Sequence, residues 1–152
     1  MGVIPTQTAT QAVVEPIKND GFFPDLSVHD FSRDMRLDIP DDNKRIAALK
    51  SAMYKVNEDL APLKRPDEPS ATLTSHITND VYTSDRLNHL YFMAVFNLAK
   101  ALLIENYRDI DTHRQGHEKS DQMEPRALDY QQRSRENVRQ LLGKPRMTVE
   151  LV

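Results

Sequence analysis

The chain has no cysteine, no tryptophan and four glycines in 152 residues, and no uninterrupted apolar run nears the ~20 residues of a membrane span. Without cysteine it can form no disulfide and no catalytic thiolate, and a zinc site would lack its commonest soft ligand. So few glycines leave no phosphate-cradling loop. Basic residues are also short. A net charge of −3 gives no broad positive field to hold nucleic acid or anionic lipid. The opening stretch MGVIPTQTATQAVVEP has neither the basic start nor the apolar run of a signal peptide. These absences predict a soluble, cytoplasmically made protein with no membrane partner and no cofactor.

What is there reads as one all-α domain with extended ends. The length suits a single core, yet apolar residues are only 39%, somewhat poor for a globular domain, which leaves surface for partners. Residues 1–20 carry Thr, Gln, Ala and two prolines without a helical stripe and read as a flexible or extended arm. Within it, Val13, Val14 and Ile17 are candidates to dock on a neighbouring molecule. Residues 21–143 read as a bundle of about four helices. Ser27 is a plausible cap for a helix to Leu37, with Val28, Phe31 and Met35 on one face. Asp38 is a candidate cap for the next, which Pro40 and two aspartates suit as a first turn and which runs to about Lys64. Its apolar seam is Ile46, Leu49, Met53, Val56, Leu60 and Leu63, at alternating gaps of three and four.

The proline-punctuated stretch from Arg65 is a linker, and residues 70–83 show no period and read as loop. A third helix from Thr83 or Ser84 to about Tyr107 carries Leu87, Leu90, Tyr91, Ala94, Val95, Leu98, Ala101 and Leu102. Phe92, Phe96 and Leu103 widen this stripe, so the helix should be central and covered on several sides. Both seams read as core or as contacts within a ring. After a break over Arg108–Gly116, a fourth helix spans about Lys119–Leu142. Gly143 stands where a left-handed cap is wanted, and Pro145 forbids continuation. Residues 144–152 form an extended tail in which Met147, Val149 and Leu151 alternate as in a strand that has no partner of its own. Arg146 and these three residues are candidate protein-binding positions, for an exposed strand of another molecule.

No catalytic constellation stands out. His113 and His117 have a metal-ligand spacing, but Gly116 lies between them and the glutamate of a metalloprotease motif is missing. His29, His76 and His89 have no nucleophile or carboxylate at motif spacing. Asp41–Asp42 suits helix capping, and Asp109 with Asp111 suits a turn. The residues alone leave two classes open: a structural assembly protein, and a helical DNA-associated regulator or packaging accessory protein. The mixed charge of Arg126 to Arg139 speaks against a helix-turn-helix reader.

Four ordered stretches carry a resemblance. They are Phe22-Phe23-Pro24-Asp25 with Met35-Arg36-Leu37, the helix Arg45 to Leu60, the run Tyr91 to Asp111, and Gly143 to Arg146 with its β-like tail. In this order, from about Asn19 to Leu151, they resemble the phage head completion family, the L-type proteins of temperate contractile-tailed phages. The chain departs from such proteins in having no tryptophan in its last helix, where Tyr130 stands in, and a compressed 65–82 linker. The resemblance implies a small helical bundle with no enzymatic activity, acting in the virion at the head–tail interface. It implies a homo-oligomeric ring, usually of twelve copies, beneath the portal protein after DNA packaging. The ring would meet the next neck protein or tail terminator, and DNA would pass without sequence-specific binding. An excess of acid suits a pore face with no basic belt.

Overall fold

A computed structural model describes residues 15–76, 82–112 and 118–144. Within them lie α1 (Val28–Asp34), α2 (Asp42–Asp59), a 3-10 turn (Ala61–Leu63), α3 (Leu73–His76), α4 (Ser84–Thr112) and α5 (Glu118–Leu141). The all-α class holds. No strand occurs among the described residues, only an isolated antiparallel bridge between Ile17 and Leu26.

Several helix ends fall elsewhere than the periodicity predicts, each for a local reason. Ser27 caps α1 as expected, its side chain accepting from the Asp30 amide. The helix stops at Asp34, short of Leu37, because Arg36 takes a left-handed φ of 50°. The Arg36 and Leu37 amides then donate to the carbonyls of Arg33 and Ser32, a Schellman closure built without glycine. Asp41, not Asp38, caps α2 by accepting from the amides of Asn43 and Lys44. Pro40 holds the residue before it extended, so the helix can begin only after it. At the other end Pro62 lacks the N–H that would continue the ladder, and the expected helix to Lys64 gives way to the 3-10 turn. Within the expected 70–83 loop, residues 73–76 form a single turn, α3, whose Leu73 is buried. α4 runs one turn beyond Tyr107, to Thr112. Gly143 closes α5 as expected, at φ +68°. Its amide donates to Gln140 and that of Lys144 to Arg139, again the Schellman pair.

α4 is the central element, flanked by α5 and α2. Lys44 of α2 lies 5.3 Å from the Tyr107 ring and Asn57 meets Tyr91 at 2.7 Å, so α2 runs antiparallel to α4. α5 also runs antiparallel, with Gln131 donating to Glu105 and Ser134 to the Ala94 carbonyl. On α4, Ala94, Ala99 and Ala101 are fully buried, and these small side chains let the flanking helices approach closely. α5 faces α4 through Ala127, Ser134, Val138 and Leu141, all buried. α1 lies over α4, with Phe31 and Phe96 rings 5.3 Å apart and Lys100 donating to the Met35 carbonyl at 2.7 Å. By length and average hydropathy α4 could cross a membrane. In this chain 56% of that stretch is buried inside the body, as expected of a core helix apolar on most sides.

Ile17 corrects the reading of residues 1–20 as an arm without a core face. It is 8% exposed and belongs to the hydrophobic core, tied to Leu26 by reciprocal backbone hydrogen bonds of 2.7 and 3.0 Å.

Candidate functional site

The segment 17–26 is held as a clamp across the α2–α4 pair. Asp20 accepts from the Phe22 and Phe23 amides at 3.0 and 3.1 Å, and Gly21 supplies the positive φ that this tight turn needs. The turn lays Phe23 flat on Tyr91, with centroids 4.9 Å apart and planes at 7°. Lys64 bonds Asp20 and sits 5.5 Å from the Phe23 ring centroid. Beneath it three side chains close a ring of hydrogen bonds. Tyr91 donates to Asn57 at 2.7 Å, Asn57 to Asn19 at 2.8 Å, and Asn19 to the Tyr91 hydroxyl at 2.7 Å. Burial first, and nearby Asp20 second, push the Tyr91 hydroxyl well above its ordinary pKa, against the opposing hydrogen bond from Asn19. It therefore remains a neutral donor. Burial alone would raise Asp20, but hydrogen bonds from Lys64 and the two Phe amides outweigh it and hold this carboxyl below the ordinary range.

Concavities mark the outer surface of the described residues. One is an apolar groove of about 640 Å³ between α2 and the C-terminal half of α4. Ala47, Ala48 and Ser51 form its α2 side and Leu102, Leu103 and Tyr107 its α4 side, with Lys44 and Lys55 at the ends. Ala47 and Ser51 are exposed. One turn on, Tyr54 is 65% exposed. Another concavity, of mixed polarity, lies where the end of α1 meets α4 and α5. There Tyr130 lies between Lys100 and Arg133, at 4.7 and 5.2 Å from the ring. Among the described residues, no group of three His, Cys, Asp or Glu could hold a metal.

The sequence profile of the phage head completion protein (GPL) family matches residues 17–152. The chain belongs to that family. It is also 28% identical over 153 residues to the head completion/stabilization protein of Escherichia phage P2, covering 99% of this chain and 89% of the relative. No solved structure matches it at a significant level. As a GPL family member the chain is a structural phage protein whose role is completion of the head.

The residues singled out in this GPL family member fall into three groups. Leu49, Met53, Val56, Leu60, Leu87 and Tyr91 are buried in the core of their own chain. Ile46, Leu98 and Leu102 are half-buried against it, with part of each side chain still exposed. Val13 and Val14 of the arm, and Arg146, Met147, Val149 and Leu151 of the tail, lie outside the described residues. So do His113 and His117. Sequence reading missed Tyr54, which falls off the seam of α2. It also missed the ring of Asn19, Asn57 and Tyr91, whose members are polar and far apart in sequence.

Proposed function

We propose that this protein is the adaptor joining the packaged head to the neck. Copies assemble as a ring, twelve in number, beneath the portal protein once DNA packaging has ended. The ring extends the DNA channel, helps retain the genome, and presents a platform to the next neck protein or tail terminator. The observation that carries this reading is the family match over nearly the whole chain. A single-core helical body with half-buried Leu98 and Leu102 on its central helix suits a subunit that repeats weak lateral contacts around a ring, where avidity multiplies them.

Attachment runs through residues 144–152. The cap at Gly143 ends α5 and Pro145 bars its continuation, so Arg146, Met147, Val149 and Leu151 reach outward to pair with a strand edge of the portal. Burying the three apolar side chains contributes about 1.5–3 kcal/mol each before ordering costs. Deleting residues 147–152 tests this. The truncated protein is expected to fold with wild-type helicity yet fail to join portal-bearing capsids, leaving filled heads that lose DNA or take no tails. Head completion at wild-type yield by the truncated protein would place attachment in the helices instead.

A further inference from the structure

α1 fills only one of the two clefts that α2 makes with α4. It packs there through Phe31 on Phe96 and through Arg45 of α2, which donates to Ser32 at 2.8 Å. The opposite cleft is the apolar groove of Ala47, Ala48 and Ser51 against Leu102, Leu103 and Tyr107. Its size falls within the range of ligand-binding clefts. The small side chains on its α2 side allow a main chain to come close, and the exposed Tyr54 stands one turn from Ser51 on the outer face.

We propose that this groove is the docking site of the chain's own N-terminal arm, residues 1–14. Three observations favour this occupant. First, residues 1–14 contain no Asp, Glu, Lys or Arg, and Val3, Ile4, Val13 and Val14 give them apolar side chains suited to a dry groove. Second, the arm is long enough. It leaves the body at Ile17, next to Asn19 and therefore next to Asn57, and Ser51 lies ~9 Å from Asn57 along α2. Passing half-way round a helix ~10–12 Å thick, over Tyr54, adds less than ~20 Å. Fourteen extended residues reach ~46 Å. Third, so short a tether holds the arm at roughly millimolar effective concentration, which exceeds any neighbouring copy at micromolar protein. The C-terminal tail fits less well. It carries Arg146 and Glu150, and α5 delivers it to the N-terminal end of α4, ~25 Å along the helix from the groove. Held in this way, the arm covers apolar surface on the free subunit that assembly can later use.

The test uses nitrogen-15 labelled full-length protein with a single nitroxide. The chain has no cysteine of its own, so one label goes at Lys55→Cys on the groove rim and, separately, one at Arg135→Cys on the exposed side of α5. The amides of residues 1–14 are expected to lose most of their intensity with the first label and little with the second. In the unlabelled protein, deleting residues 1–14 is expected to shift the amides of Ala47, Ser51, Leu102 and Tyr107, which reads the groove without any substitution in it. Equal broadening from both labels, or unmoved groove amides after deletion, overturns the proposal. So does broadening in a mixture of nitroxide-bearing unenriched chains with enriched unlabelled ones, because the arm then belongs to another copy.

Discussion

Asn19 donates a 2.7 Å hydrogen bond to the hydroxyl of Tyr91, a residue 72 positions away. The contact fixes the start of the body against the N-terminal third of its central helix. Asn57 completes the ring from α2, so one polar junction sets the relative position of three segments. Tyr91 is fully buried and the two asparagines are half-buried, so breaking the junction leaves polar groups with little water to replace their partners, which is costly.

Tyr91→Phe keeps the stack on Phe23 and removes the junction's hydroxyl. It should destabilise the protein by about 1–3 kcal/mol in urea titration, since Asn57 loses an acceptor contact and Asn19 a donor contact. Asn57→Ala should cost a similar amount. The double variant should fall short of the sum by at least about 0.5 kcal/mol. Strict additivity would mean that the ring does not act as a unit.

Asp20 provides a pH test. Its carboxyl titrates lower in the folded protein than in the unfolded chain, so its ionised form favours folding. That contribution is complete above the unfolded pKa near ~3.9 and disappears as pH falls through the lower folded value. Asp20→Asn retains an oxygen for the Phe22 and Phe23 amides but no charge for Lys64. Both side chains are partly exposed, so solvent screening limits the loss at neutral pH to at most about 1 kcal/mol, and the gap should close as pH falls below about 4. A gap independent of pH would assign the effect to shape alone.

The two left-handed caps should respond in opposite senses. At Gly143 an added Cβ would meet nothing within 4 Å, so Gly143→Ala carries only the conformational penalty, about 1 kcal/mol. At Arg36, φ 50° already carries that penalty. Arg36→Gly should therefore be neutral or stabilise by up to about 1 kcal/mol, after the added freedom of the unfolded chain is subtracted. Thermal unfolding of both variants reads the difference directly.

The pattern of legibility follows from how local each determinant is. The all-α class, the α2 seam of Leu49, Met53, Val56 and Leu60, and the all-round apolarity of α4 are periodic signals, and the buried core contains them. The Gly143 cap is equally local. The periodicity carries α1 past its end at Asp34 because an arginine, not a glycine, takes its left-handed cap. α3 was invisible because a single turn has no period, although Leu73 is buried and its amide bonds the Phe22 carbonyl at 2.9 Å. The Asn19–Asn57–Tyr91 ring and the α2–α4 groove depend on which helices become neighbours, and spacing along one helix does not encode that.

The central claim is a ring of this protein at the portal vertex, and electron cryomicroscopy of DNA-filled heads tests it most directly. Heads made with the wild-type protein should show a ring of helical subunits directly beneath the portal, with the C-terminal tail of each subunit against a portal strand. Heads made without it should lack that layer and lose their DNA. Wild-type heads with the protein bound elsewhere on the shell, or with an unchanged portal vertex in its absence, would contradict the account.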